Sequence, residues 1–320
     1  MACGGGSALQ PQPQATPVSL VSTGTAEVAP AVPRVAHLVA GGDTSCVVMD
    51  DGGLRCWGFG AKGAHHAPEP FFPDLLEGVV QVSLADGHGC ALDRAGDVWC
   101  WGLGPPTGRS ESGFHPPARI EGLGRTKQLA TARSHTCALG VDRKVRCWGT
   151  RGLAPHGLEP YWREVPGIEG DSGLATSWRG TCTIDGGFAS CKLREEAAPR
   201  ALGPADDLAM GSGGVVTLAG GRVRGWGSAC GPGQQHWSTT PCERRDLGTV
   251  SALRSNEATY CARDDDGWKC WGKNSWDLMP SQQDWVREPT AIGVTGELQL
   301  GEWHACALKG DSRISCWGVG

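Results

Sequence analysis

The chain has 320 residues, of which 39% are hydrophobic and 14 are tryptophan, so it can bury a sizeable core. Its 50 glycines and 21 prolines therefore indicate a turn-rich, all-β protein and argue against a disordered one. The net charge is −5, and lysines and arginines do not cluster, which argues against a surface that neutralises nucleic-acid phosphates.

Cysteine is the most informative residue type. Fifteen cysteines are far more than a protein of a reducing compartment usually carries, which indicates disulfides and export. Structural zinc sites use close pairs such as Cys-x2–4-Cys, and no two cysteines of this chain are that close. We therefore expect no metal and no other cofactor. No apolar run approaches the roughly 18 residues of a transmembrane helix.

The first 34 residues are rich in Gln, Pro, Ala and Thr, a composition that cannot bury enough apolar surface to fold alone. We expect residues 1–16 to form a flexible tether and residues 17–320 to form one domain. Ala2-Cys3-Gly4 resembles the end of a bacterial lipoprotein signal, which makes Cys3 a candidate lipidation site. A charged start and an apolar run are missing, so the true start of the gene would lie upstream. The alternative is an incidental cysteine.

Seven copies of one hairpin pattern follow, at a period of about 45 residues, which predicts a propeller or a solenoid. Each copy is typical of two short strands around a Gly/Asp-rich turn. The copies are GGDTSCVVMDDGGLRCWG, ADGHGCALDRAGDVWCWG, ARSHTCALGVDRKVRCWG, SWRGTCTIDGGFASCKL, MGSGGVVTLAGGRVRGWG, NEATYCARDDDGWKCWG and GEWHACALKGDSRISCWG.

The two cysteines of a copy lie symmetrically about its turn, so antiparallel pairing places them opposite each other at a distance that a disulfide can bridge. Repeat five has Val215 and Gly225 at the cysteine positions, as expected if each cysteine's only partner is in its own repeat. Two further cysteines follow repeat five and are expected to pair with each other. The expected pairs are Cys46–Cys56, Cys90–Cys100, Cys137–Cys147, Cys182–Cys191, Cys230–Cys242, Cys261–Cys270 and Cys306–Cys316.

The repeats resemble those of the regulator of chromosome condensation family. His88, His135 and His304 match the histidine of that pattern, and Asn274 matches the asparagine that often follows Trp-Gly. The Gly-Gln-Leu-Gly that often comes next is missing in every copy, and the paired cysteines point to an exported, bacterial-type branch.

The resemblance implies an all-β, seven-bladed β-propeller of four-stranded blades. Because the chain ends two residues after Trp317-Gly318, we expect the N-terminal segment, from about Pro17 through the strand-like Val32–Val39, to complete the C-terminal blade. The tryptophan of each copy is expected to pack between blades.

Two sets of polar residues are candidates for chemistry. His88, His135 and His304 occupy equivalent positions and could converge near the axis as metal ligands, or they could form hydrogen bonds within their own blades. Asp86, Glu257 and Glu302 lie near the same turns and could pair with them as acid and base, or they could be solvated or capping carboxylates.

The linkers between repeats carry aromatic residues, which are good binding anchors because they offer a large contact area at low entropic cost. Trp237 is the strongest candidate, because the Cys230–Cys242 disulfide would make its loop rigid. The alternative is that these residues pack between blades as parts of outer strands. The candidates for binding are Tyr161, Trp162, His236, Trp237, Trp276 and Trp285.

These features predict an exported, monomeric binding or scaffold propeller. It would be tethered to a membrane only through a lipid and would recognise a protein or a glycan, not nucleic acid. Its place would be the bacterial cell envelope (the outer membrane or cell surface) or the medium. One alternative is an extracytoplasmic lyase or hydrolase with a site near the axis. A second is nucleotide exchange or chromatin binding by family analogy, which the sequence pI of about 6.0 and the disulfides disfavour.

Overall fold

The computed structural model describes residues 33–58, 76–108, 113–150, 159–232, 240–274, 277–310 and 312–318. These residues form seven antiparallel sheets, each built from strands that are consecutive in the chain. The fold is a seven-bladed β-propeller, which confirms the expected architecture. Blades two to six have four strands, whereas blades one and seven have three strands each within the described residues.

Successive blades follow one another in chain order. Blade one contains β1 Val35–Gly41, β2 Thr44–Met49 and β3 Leu54–Gly58. Blade two contains β4 Val79–Ala85, β5 His88–Asp93, β6 Val98–Leu103 and β7 Phe114–Arg119. Blade three contains β8 Thr126–Ala132, β9 His135–Gly140, β10 Lys144–Gly149 and β11 Glu159–Glu169. Blade four contains β12 Ser172–Ser177, β13 Gly180–Asp185, β14 Phe188–Leu193 and β15 Arg200–Pro204.

The remaining three blades are built in the same way. Blade five contains β16 Asp207–Met210, β17 Gly214–Ala219, β18 Arg222–Gly227 and β19 Cys242–Arg244. Blade six contains β20 Ala252–Ser255, β21 Thr259–Asp264, β22 Gly267–Lys273 and β23 Trp285–Ala291. Blade seven contains β24 Glu297–Leu300, β25 His304–Leu308 and β26 Ile314–Gly318. Two short 3-10 helices, Pro105–Thr107 and Ser228–Cys230, begin linkers. Among the described residues, no helix has the length and apolar character that crossing a bilayer requires.

Each repeat hairpin forms the second and third strands of a blade, and six of them hold a disulfide between directly opposed residues. In these six the Cα atoms are 4.0 to 4.1 Å apart. The seventh disulfide, Cys230–Cys242, has a Cα separation of 5.7 Å. All seven pairs of the structure are the pairs that the sequence analysis expects.

The register of repeat five differs from the expectation by one residue. Val216 lies opposite Gly225, and Val215 lies opposite Trp226, so the first cysteine position is Val216 and not Val215. The reason is the tight turn at Gly220 and Gly221, whose φ values of 55° and 77° allow two residues to connect the strands. Repeat five therefore has the same shorter loop as repeats four and six.

The tryptophans of the repeats pack between blades, as expected. Trp148 and Trp271 are almost completely buried, and each donates its indole N–H to a carbonyl in the linker of the preceding blade: Pro106 at 2.8 Å and Ala229 at 2.9 Å. Trp317 makes the same type of bond to Leu278 at 3.2 Å. The indole therefore ties each of these blades to its neighbour.

Blade seven packs directly on blade one, which closes the ring. The Leu38 N–H donates to the Glu297 carboxylate at 3.4 Å, and Leu38 shares an apolar cluster with Val47, Met49 and Cys306. The prediction for the closing segment is thus wrong in part, because residues 35–41 form the first strand of blade one and not a strand of blade seven. The rest of that segment, residues 17–32, lies outside the described residues.

Candidate functional site

The topology separates two faces of the propeller. The first turn of each blade and the end of its third strand, where the linker begins, lie at one end, as the bonds from Leu103 N to Gly87 O (2.7 Å) and from Arg194 N to Arg179 O (2.8 Å) show. We call this the linker face. The hairpin turns and the connections between blades lie at the other end, the hairpin face, where Val250 N donates to Gly221 O at 3.0 Å. The linkers therefore begin on the face that carries the turns around the axis.

A cavity of about 910 Å³ runs along the axis and is lined by the first strands of all seven blades. On the linker face it is bordered by one residue from each blade, four positions before the first cysteine position of the repeat. We call these residues the axial ring. They are Gly42, Asp86, Arg133, Trp178, Ser212, Glu257 and Glu302.

Three of the four charged residues of the axial ring are acidic. Arg133 contacts Asp86 at 3.4 Å and Glu302 at 3.6 Å, so one guanidinium lies between two carboxylates. Burial raises the pKa of Glu302; Arg133 opposes this shift, whereas Glu257 and other neighbouring carboxylates add to it. Burial and the charge of Asp86 likewise raise the pKa of Asp43, next to the ring. Asp86 and Glu302 therefore both contact Arg133, and Asp86 and Glu257 are both close enough to Glu302 to raise its pKa.

The three repeat histidines do not join those carboxylates. Each ring nitrogen Nε2 forms a hydrogen bond with a hydroxyl group of the next blade: His88 with Thr136 (3.0 Å), His135 with Thr176 (2.8 Å) and His304 with Ser45 (2.7 Å). The expectation of bonds within one blade is thus corrected, because the hydroxyl partners belong to the adjacent blade. Burial lowers the pKa of His88 to about 3 and that of His135 to about 4, so both are neutral at pH 7.

These histidines also do not form a metal site. No group of three or more His, Cys, Asp or Glu side chains is arranged to hold a metal ion among the residues that the structure describes. The three histidines serve instead as part of the packing between blades. The geometry of the described residues therefore gives the carboxylates of the axial ring no histidine partner for acid–base chemistry.

Three of the candidate binding residues are described. Tyr161 lies near the start of β11 and is 77% exposed. Trp162 donates its indole N–H to the Glu121 carbonyl at 3.0 Å and lies under the Arg146 guanidinium of its own blade. It packs on an apolar cluster that includes Leu92 and Val98 of blade two. Trp285 is half-buried at the start of β23, opposite Lys273. The other candidates, His236, Trp237 and Trp276, and the lipidation candidate Cys3 lie outside the described residues.

The structure adds an exposed aromatic residue that the sequence analysis did not select. Trp178 belongs to the axial ring, is 40% exposed, and has the Arg179 guanidinium 4.4 Å from its ring centroid. Arg179 Nε donates to the Ser212 carbonyl at 3.1 Å, which fixes the pair against blade five. Aligning the seven repeats places this tryptophan at the axial-ring position, so the signal was present in the sequence.

Comparison with known proteins supports the repeat and the fold. The family model described as "Regulator of chromosome condensation (RCC1) repeat" matches residues 35–64. The ultraviolet-B receptor UVR8 of Arabidopsis thaliana is 30% identical over 144 residues, which are 40% of this chain and 32% of that protein. The chain thus matches about one third of the length of that relative.

Solved structures with the same fold include Prp20p of Saccharomyces cerevisiae, with a TM-score of 0.66, 16% identity, and coverage of 88% of this chain and 81% of that chain. That yeast protein has binding properties toward Gsp1p and histones. The ectodomain of the Arabidopsis thaliana receptor kinase ACR4 gives a TM-score of 0.53 at 16% identity and covers 90% of this chain and 96% of its own. At such identities these structures show the shared fold alone.

Proposed function

We propose that this chain, a β-propeller of the RCC1-repeat type, is a protein-binding scaffold that acts outside the cytoplasm and contacts its partner through the linker face. Seven disulfides within one chain indicate that it folds in an oxidising compartment. We further propose that it is a monomer of the bacterial cell envelope that is anchored through acylation of Cys3. Mass spectrometry of the N-terminal peptide from the native host tests that anchor, and an unmodified Cys3 would contradict it.

The observation that carries the proposal is the composition of the linker face. The linkers, which differ in length and sequence, begin on this face, which also carries the exposed aromatic residues Tyr161 and Trp178 and the charged axial ring. Tryptophan, tyrosine and arginine are enriched among the residues that dominate protein interfaces. The hairpin face consists mostly of short Gly/Asp-rich turns, which offer less shape for recognition.

Hydrogen bonds also join the first strands of neighbouring blades around the axis. A polar side chain on the first strand of one blade forms a hydrogen bond with the backbone of the first strand of the next blade. Gln81 bonds both the N–H and the carbonyl of Leu129, and Asp207 accepts the N–H of Leu253 at 3.1 Å. A preorganised surface binds at a lower entropic cost, which suits a scaffold.

A protein is the partner class that we propose, with a glycan as the outcome that would replace it. Prp20p, which shares the fold, is described as binding Gsp1p and histones and has been solved as yeast RCC1 in complex with Kap60. At 16% and 17% identity we do not propose those particular partners for this chain, but they illustrate that a propeller of this type can bind proteins.

The test compares aromatic residues on the two faces. The oxidised protein is immobilised and used to capture proteins from the extracytoplasmic fraction of its host, with Trp178→Ala and Tyr161→Ala as variants. Phe188→Ala is the matched control, since Phe188 is 61% exposed but lies at the hairpin turn of blade four. We expect one partner whose capture both linker-face variants reduce at least tenfold and the control does not.

Two outcomes would contradict the proposal. Capture that depends on Phe188 and not on Trp178 or Tyr161 would place binding on the hairpin face. Specific binding to immobilised glycans without any captured protein would favour the glycan hypothesis. Thermal melts of each variant show whether a loss of capture reflects a loss of folding.

A further inference from the structure

A second cavity of about 290 Å³ lies on the linker face at blade four, and Trp178 lines both this cavity and the axial one. We call it the blade-four notch. It is lined by residues of the first turn, the end of β14, the linker and the start of β15. These residues are Trp178, Arg179, Leu193, Arg194, Glu195, Glu196 and Arg200.

The notch exists because blade four departs from the repeat. Lys192 occupies the position of the buried tryptophan, and its ammonium donates to the carbonyls of Glu196 (2.7 Å) and Ala197 (2.6 Å). The backbone N–H of Arg194 donates to the Arg179 carbonyl at 2.8 Å, which fixes the start of the same linker. The linker is therefore a short, hydrogen-bonded turn, and the notch is formed before any ligand arrives.

The side chains that line the notch carry more positive than negative charge. Arg200 and Glu196 form an ion pair, which neutralises both. Arg194 is exposed and forms no ion pair within the described part of the chain, and Arg179 uses its Nε for the Ser212 carbonyl. Arg194 also lies close enough to His135 for its charge to lower the pKa of that buried histidine, second to burial itself. Two guanidiniums outside that ion pair and the exposed carboxylate of Glu195 thus line a small cavity beside an exposed indole, and the net charge of the lining is +1.

The other side of Trp178 has the opposite charge. Asp86, Glu257 and Glu302 of the axial ring outnumber Arg133. The linker face is therefore acidic at the axis and basic at blade four. An acidic ligand is repelled from the axis and attracted to blade four. This asymmetry favours an anionic ligand at the notch.

We infer that the blade-four notch binds carboxylate side chains of an acidic segment of the partner protein, with Arg194 and Arg179 as the anion-binding groups and Trp178 as an apolar wall. The inference rests on the proposed function and names the partner's chemistry. A guanidinium binds a carboxylate in a planar, two-point arrangement, which an ammonium cannot reproduce. The indole contacts the aliphatic part of the bound side chain.

The experiment measures binding of fluorescein-labelled octaglutamate to the whole oxidised protein by fluorescence anisotropy at low salt. Arg194→Ala should weaken binding at least tenfold, Arg194→Lys should restore it only in part, and Trp178→Ala should weaken it as well. Arg245→Ala is the matched control, because this arginine is 86% exposed and follows β19 toward the hairpin face. It should leave binding within twofold of the parent.

Several outcomes would overturn the inference. Equal losses in Arg194→Ala and Arg245→Ala would show unspecific attraction to positive charge, and no loss in Arg194→Ala would show that the notch is not the site. Tighter binding of polygalacturonate than of octaglutamate, lost in Arg194→Ala, would assign the notch to an acidic glycan. If octaglutamate fails to bind while Trp178-dependent capture of a partner persists, only the acidic chemistry is wrong and the proposed function stands.

Discussion

At the scale of single residues, the repeat histidine acts as a neutral hydrogen-bonding group at the contact between blades. His135 is fully buried, and its pKa of about 4 lies below the ordinary value of 6.5. Protonation would place a charge in a buried site where no carboxylate is bonded to the ring. The same holds for His88, whose pKa is about 3.

Acid sensitivity follows from these two residues. The unfolded chain binds a proton at each histidine below about pH 6.5, whereas the folded chain does not. The stabilising contribution is therefore complete above that pH and is lost as the pH falls from 6.5 toward 4, at about 1.4 kcal/mol per pH unit for each histidine. We expect His135→Gln to reduce the slope of the unfolding free energy against pH by the contribution of one proton, about 1.4 kcal/mol per pH unit. Urea unfolding measured from pH 8 to pH 4 gives this slope.

The control for that prediction is His37→Gln, at an exposed histidine of β1. His135→Gln should itself cost about 1 to 2 kcal/mol at pH 8, because the amide replaces the bond to Thr176 imperfectly. An acid slope identical to that of the parent protein would show that His135 is not the group that links folding to pH.

At the scale of elements, the hairpin of blade five explains the disulfide outside the repeat pattern. A Cβ added at Gly225 would lie 3.1 Å from Cys242 Sγ, so the Cys230–Cys242 disulfide fills the space that a side chain at position 225 would need. The blade has thus exchanged a disulfide across the hairpin for one that joins its fourth strand to the start of the linker. The absence of a disulfide across the hairpin of blade five and the presence of the Cys230–Cys242 disulfide therefore have one structural cause.

Moving the disulfide of blade five to the repeat positions by mutation tests this explanation. Cys230→Ser with Cys242→Ser should cost about 3 kcal/mol, the chain-entropy value for a loop of this length. Adding Val216→Cys and Gly225→Cys to that variant should recover most of the loss, because Val216 and Gly225 are directly opposed. The same two cysteines added to the parent protein should stabilise it little, and a full gain there in urea unfolding would contradict the steric argument.

At the scale of the whole molecule, the propeller closes through contact between blades one and seven. Within the described residues β26 pairs only with β25, whereas each of blades two to six has a fourth strand. An unpaired strand edge is a site of aggregation that proteins usually cover. We propose that residues 17–32 supply this strand and that residues 1–16 are the tether.

Two truncations distinguish these roles. Deleting residues 17–32 should lower the melting temperature by roughly 10 °C, the shift that a loss of a few kcal/mol produces in a protein of this size. Deleting residues 1–16 should leave it unchanged. Both are measured by calorimetry on oxidised protein, and equal melting temperatures would show that another segment covers the edge of β26. The strand β1 stays intact in both truncations, so the comparison does not disturb blade one.

The sequence by itself determined the number of blades, the hairpins and the pairing of the cysteines. These features depend on residues close together in the chain: the members of a repeat pair, such as Cys46 and Cys56, are ten residues apart or fewer and face each other across one turn. Because the repeat is regular, the spacing of the residues within it predicts such contacts. The exception is the register at Val216: the prediction used the ten-residue spacing of repeats one, two, three and seven, whereas repeat five has the nine-residue spacing of repeats four and six.

Only the tertiary structure decided what happens between blades. It showed that His88 bonds Thr136, 48 residues away, that His304 bonds Ser45, 259 residues away, and that seven turn residues converge in one axial ring. It also showed that Trp162 packs against blade two, whereas Trp178 is exposed beside Arg179. The physical reason is that a tryptophan is the same residue in the sequence whether it is core or surface, and its burial is set by the neighbouring blade that the closed ring places against it.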